Sequence, residues 1–124
     1  RNHLGCMSGT YSLSSTSTAI NFTLAGTSTY GTNARKAEGG VMLLWSGNVS
    51  GNNMVSYTGA ANDRDPILQA FGSSPITGAI SGYSAADVNM DGKVRYTGTN
   101  NDRDPILSNI GGSVPSQVVN EQLP

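Results

Sequence analysis

Oxygen-bearing residues recur at alternate positions in the stretch "DVNMDGKV": Asp87, Asn89, Asp91 and, through its main-chain carbonyl, Lys93. That spacing suits calcium, which takes about six to eight hard oxygen ligands with enough negative charge to offset its own. A loop of this kind carries ligands at positions 1, 3, 5 and 7, a Gly at position 6 for the sharp turn and an acid at position 12. Gly92 fills position 6, but position 12 is Gly98, which has no side chain to offer. The nearest candidate for the closing acid is Asp102, four residues further on. It reaches the loop if "YTGT" (residues 96–99) bulges outward as an inserted turn.

Little else in the chain could do chemistry. His3 is the only histidine and has no motif around it. Cys6 is the only cysteine, so no internal disulfide forms, and in "NHLGCMS" it reads as a small apolar residue. Asp63 with Asp65, and Asp102 with Asp104, are paired acids, but both pairs sit in repeated segments where capping and calcium account for them. A nucleophile–base pair or a catalytic metal cannot be assembled from this set, and the expectation is a protein without catalysis.

The elements that must position the loop come from a duplication. Shifted by 39 residues, "NVSGNNMVSYTGAANDRDPILQAFG" from Asn48 lies without a gap on "DVNMDGKVRYTGTNNDRDPILSNIG" from Asp87. Two copies are too few for a solenoid and suit a pseudo-twofold pair, as in paired EF-hands. Each copy reads as loop, short strand, turn and short helix, and the strands starting at Val55 and Val94 are expected to pair with each other. Asp65 and Asp104 are expected as helix N-caps, with Pro66 and Pro105 at the first helical position and Gly72 and Gly111 ending the helices. Arg64 and Arg103 are expected to clamp a carboxylate or loop carbonyls. In the first copy Asn48, Ser50, Asn52, the Met54 carbonyl and Asp63 occupy the corresponding ligand positions, and with so little charge that site is expected to be vestigial or weak. Asn53 stands where Gly would be and is expected to take the left-handed turn.

The first half reads differently. In "AINFTL" Ile20, Phe22 and Leu24 alternate with polar residues, the pattern of a half-buried strand. "NHLGCM" alternates too. "GGVMLLWSG" is a short apolar run expected as a buried strand, ending at Trp45 in the joint core, and "LSSTST" and "GTSTYGTNARKAEGG" read as loops. The fold class expected is therefore mainly β: an N-terminal sheet or sandwich-like part over residues 1–46, packed on a loop–short-helix repeat pair over 47–124 (47–83 and 84–124), in one compact unit. With 7 basic and 8 acidic residues in 124 and no Lys/Arg run, nucleic acid and anionic membrane are not expected partners. No apolar run is long enough to span a bilayer. "NFT" at Asn21 and "NVS" at Asn48 match the glycosylation acceptor pattern.

"DVNMDGKV" resembles the dockerin-type calcium repeat. The fuller pattern of "RNHL", "GTNARK", "LWSG", twin "YTG…NDRDPIL" blocks and a closing "EQLP" resembles the C-terminal region of large secreted surface proteins of Bacteroidota, along essentially the whole chain. The resemblance implies a place outside the cell or on its surface, calcium held by Asp87, Asn89, Asp91 and Lys93, and a role in adhesion. The dockerin closing acid has no match at Gly98, and the helices are much shorter than a dockerin's. The expected function is an extracellular calcium-stabilised structural or interaction module, meeting a protein partner or its own kind at the cell surface. The alternatives are a subunit of an extracellular fibre or filament that adds its "NHLGCMS" strand to a neighbour, and a glycan-binding module.

Overall fold

A computed structural model describes residues 2–124, so that Arg1, the first residue of the N-terminal half, lies outside the described residues. The chain forms mostly short strands and little helix. In order these are β1 (Lys36–Glu38), β2 (Val41–Leu43), β3 (Met54–Ser56), α1 (Arg64–Gln69), β4 (Ile80–Ser81), β5 (Lys93–Val94), α2 (Arg103–Asn109) and β6 (Val118–Asn120). The strands make three two-stranded antiparallel sheets, β1–β2, β3–β6 and β4–β5.

The two repeats exchange strands. Val55 of the first repeat lies opposite Val119 at the end of the second, and Val94 of the second lies opposite Ile80 at the end of the first. Moving Val55 forward and Val119 back by 39 residues gives Val94 and Ile80, so the pseudo-twofold relation holds in the pairing itself. It holds in the loops as well: Thr58 Oγ1 donates to the Pro115 carbonyl, and Thr97 Oγ1 to that of Ile76. The expected direct pairing of the strands at Val55 and Val94 does not occur. Each is taken by the tail of the opposite repeat, which supplies a Val or Ile at the facing position and closes the core from outside.

That core is one cluster. Val55, Ile67, Phe71 and Val119 meet Val88, Val94, Ile106 and Ile110, with Ile67 and Ile106 fully buried. Leu4 from the N-terminal segment enters the same cluster, and Trp45 packs on its flank as expected, its indole N–H donating to the Asn33 carbonyl at 2.8 Å. The helices are short because Gly72 and Gly111 follow them, and each presents a single buried isoleucine.

Residues 2–46 build no sandwich: among the described residues their one sheet is the short hairpin β1–β2. Residues 20–24 are irregular with a turn at Phe22 and Thr23, not the expected strand. The reason is Arg35, a buried residue whose guanidinium takes the carbonyls of Phe22 and Leu24 through Nη1 and that of Thr27 through Nη2, at 2.5, 2.9 and 2.6 Å. The two carbonyls that share Nη1 lie closer together than the roughly 6.6 Å separating alternate residues along a strand, so the chain curls here. The apolar run at Val41 is a strand, but not a buried one. Gly39 and Gly40, at φ +60° and +82°, make the two-residue turn that folds it onto Lys36–Glu38, within the stretch expected as loop. Val41 and Leu43 stay exposed. "NHLGCMS" makes only isolated bridges, His3 to Ser46, Cys6 to Gln122 and Ser8 to Thr29, and Cys6 is half-buried.

Candidate metal centre

Both loops hang on one buried aspartate each. Asp102 is fully buried, and its carboxylate accepts backbone N–H groups from Val88 (2.7 Å), Asn89 (3.2 Å) and Arg95 (2.7 Å). Asp63, its counterpart, accepts the Ser50 N–H and hydroxyl and the Ser56 N–H at 2.8–2.9 Å. The carboxylate ties the start of the loop to the last residue of the short strand in the first repeat (Ser56) and to the residue after it in the second (Arg95), and the "YTG" turn loops out between that point and the aspartate. Burial pushes the Asp102 carboxyl above its ordinary value and the nearby Asp87 charge adds to this, while the three N–H donors pull the other way.

Asn62 and Asn101, the first letters of the "NDRD" motifs, do the capping. Asn62 Oδ1 accepts the N–H groups of Arg64 and Asp65, both at 3.1 Å, and Asn101 Oδ1 those of Arg103 and Asp104 at 3.2 and 3.1 Å. Asp65 and Asp104, expected as caps, lie inside the helices and accept the side-chain N–H of those asparagines at 2.8 Å, so that Pro66 and Pro105 come third in their helices and not first. The arrangement resembles a capping box, except that the acid accepts the asparagine's side-chain amide and not its backbone N–H. An Asn three residues ahead of an acid, just before an apolar run, was the signal for it in the sequence. Arg64 and Arg103 make a different clamp from the one expected: each guanidinium lies over the tyrosine of its own "YTG", Tyr57 at 5.1 Å and Tyr96 at 4.5 Å.

On this common frame the two loops carry different residues. In the second, the buried Asp87 carboxylate accepts the N–H of Asp91 at 3.1 Å and of Gly92 at 3.0 Å. Asn89 Oδ1 also accepts the Asp91 N–H, and Asp91 Oδ1 accepts that of Lys93, both at 2.9 Å. Gly92 has φ +84°, the left-handed turn that position 6 requires, and Met90 is left-handed as well at φ +60°. In the first loop the left-handed residue is Gly51; Asn53 is not among the left-handed residues, contrary to expectation. There Asn52 Oδ1 accepts the Met54 N–H at 3.0 Å, as Asp91 does for Lys93. Asn48 donates to the Asn52 carbonyl, and its own Oδ1 is buried with no partner.

The donor set Asp87, Asn89, Asp91, Lys93 carbonyl and Asp102 consists of hard oxygens, which fits calcium in kind. A carboxylate offers about four lone-pair sites; the backbone takes three of Asp102's, which leaves one on Oδ2 for a single ligand bond. Asp91 Oδ2 bonds Arg95 Nη1 at 2.5 Å, an ion pair that holds the Asp91 carboxyl below its ordinary value and that a cation in the loop must compete with. Among the described residues no three His, Cys, Asp or Glu side chains stand close enough together to form a metal cluster, and no helix is long and apolar enough to cross a membrane. His3 and the exposed Leu43, Leu44 and Met90 line a shallow apolar groove beside the loop. No family model matches the sequence, no curated protein matches it, and no solved structure matches it.

Proposed function

We propose that this chain is a non-catalytic extracellular module of a bacterial surface protein, stabilised by calcium and serving adhesion or assembly. The observation that carries the calcium reading is the contrast between the repeats. Asp63 and Asp102, Asn62 and Asn101, and the Tyr–Arg pairs build the same frame twice, and the first copy closes its loop with the neutral Asn48, Ser50 and Asn52. The acids at 87 and 91 are therefore not needed to form such a loop. Asp87 lies near buried Asp102, and like charge gathered there is costly unless a cation offsets it. The ligand set expected is Asp87, Asn89, Asp91, the Lys93 carbonyl and Asp102, the last through one oxygen, with water making up the remainder. The first loop, with Asp63 as its one acid, is expected to bind weakly or not at all. The place outside the cell rests on the resemblance of the paired "NDRDPIL" blocks and of "RNHL" and "GTNARK" to secreted surface proteins.

Titration calorimetry with calcium on chelator-treated protein, with melting curves alongside, tests this reading. One site is expected, in the range of roughly 10⁻⁴ to 10⁻³ M usual for extracellular modules. A hundredfold excess over that constant adds about 2.7 kcal/mol to a folded state that alone binds, or roughly 5 °C or somewhat more in melting temperature. The double variant Asp87→Asn, Asp91→Asn is expected to lose both effects. Melting curves that coincide with and without chelator overturn the reading.

A further inference from the structure

One residue of the N-terminal segment touches the first position of both loops. Asn2 is 1 % exposed. Its main-chain carbonyl accepts the N–H groups of Gly47 (2.8 Å) and Asn48 (2.9 Å), at the start of the first loop. Its side-chain Nδ2 donates to the carbonyls of Ala85 (2.9 Å) and Asp87 (3.0 Å), at the start of the second. Residues 47 and 48 correspond to 86 and 87 under the 39-residue shift, so a single residue spans matching points of the two repeats. Both lone pairs of the carbonyl and both hydrogens of the NH₂ group are used across the pair. Two residues on, Leu4 is buried in the joint core and its N–H donates to the Trp45 carbonyl at 2.8 Å. The latch is thus held from below.

From this geometry we infer that Asn2 is a positioning residue that couples the two loops: it orients Asp87 for the cation and transmits occupancy of the second loop to the start of the first. The inference rests on the calcium reading for its ligand, but the coupling is mechanical and has its own readout. Four hydrogen bonds meet on one ordered residue, so a motion that frees the Asp87 carbonyl also loosens the residue holding the Gly47 and Asn48 N–H groups. A cation that stabilises Asp87 in place then protects those two amides, and by linkage whatever holds Asn2 in place raises affinity for the cation. The Asn2 Oδ1 atom is buried without a partner, so the side chain acts here as a donor alone.

Amide exchange followed by NMR on the full chain, metal-free and with calcium chloride, tests the coupling. In the wild type, calcium is expected to slow exchange at Gly47 and Asn48, in the loop without the acids, as well as at Asp91 and Gly92. Protection confined to the second loop overturns the inference, and that measurement needs no variant. Asn2→Leu keeps the approximate shape and removes the donors. It is expected to weaken calcium binding by about tenfold or more, the usual cost of losing a group that orients a metal ligand, and to uncouple Gly47 from calcium. A variant that melts lower in chelator yet keeps the wild-type calcium constant shows a merely structural Asn2. If the wild type binds no calcium, the calcium reading fails by itself. The coupling then stands on the metal-free exchange, where Asn2→Leu should accelerate Gly47, Asn48 and Gly92 together, and acceleration at Gly47 and Asn48 alone refutes it.

Discussion

At the scale of residues, the buried aspartates carry more of the loop structure than the exposed acids do. Asp63→Ala removes the acceptor of the exposed Ser50 and strands the N–H of the buried Ser56, and the loss of these charge-assisted bonds is expected to cost about 2–3 kcal/mol. Urea unfolding of the variant checks this, and a loss under about 1 kcal/mol would mean that water reaches the Ser56 amide. Asp91 behaves otherwise. Its carboxyl is exposed and held low by the hydrogen bond from Arg95, so its stabilising effect is present above the unfolded value of about 3.8 and is lost as pH falls through the lower folded value. In metal-free protein the urea midpoint of Asp91→Asn is therefore expected below wild type near neutral pH, with the gap closing on the acid side of that window. A gap that persists at lower pH would rule out the ion pair as its cause. Legibility followed the same division. Asp87, Asn89 and Asp91 announced themselves by spacing, whereas the buried donors on Asp102 became visible only when residues 88, 89 and 95 were folded around it.

At the scale of elements, the exchange of tail strands makes each repeat depend on the other. β6 pairs with β3 in register Met54–Asn120, Val55–Val119 and Ser56–Val118, so the last strand of the second repeat completes the first. Glu121 adds to this by donating its N–H to the Asn53 carbonyl and accepting the Gly5 N–H on Oε1. Removing residues 118–124 is accordingly expected to strip exchange protection from β3 before β5, although β5 is the nearer in sequence. Equal loss in both strands, or loss at β5 first, would contradict the pairing. The cores of the two helices should respond alike: Ile67→Ala and Ile106→Ala each delete a fully buried side chain and are expected to cost about 2–5 kcal/mol.

For the whole molecule, the division at residue 46 is not a boundary between cores. Asn2 and Leu4 enter the repeat pair, Lys36 Nζ donates to Asn109 Oδ1 at 3.0 Å, and the Asn109 side-chain amide donates to the Ser46 carbonyl and hydroxyl at 2.8 and 2.9 Å. Strand addition through "NHLGCMS" would have to give up the burial of Leu4 and the bridges to Ser46, Gln122 and Thr29. The stretch 10–21, by contrast, is exposed throughout, with Leu13 entirely in solvent. A protease of broad specificity is expected to cut there first in the native state, with or without calcium, and to leave the melting curve of the interlocked remainder nearly unchanged. First cuts within Asp102–Asn109 would show that the repeat pair opens more readily than its burial implies.

The sequence by itself determined what lies within one repeat. Loop spacing, the Pro-bearing helix start, the Gly after each helix and the near-absence of charge in the first loop are local matters, set by side-chain chemistry over a dozen residues or so. The duplication then required any solution for one copy to serve the other. Tertiary structure decided which strand met which, that Asn62 and Asn101 rather than Asp65 and Asp104 took the caps, and that Arg35 drew the carbonyls near Phe22 out of a strand. Those outcomes depend on which donors and acceptors share a dry space after the chain has closed. Alternation in "AINFTL" reports only the side chains of that segment and says nothing of a guanidinium arriving from residue 35.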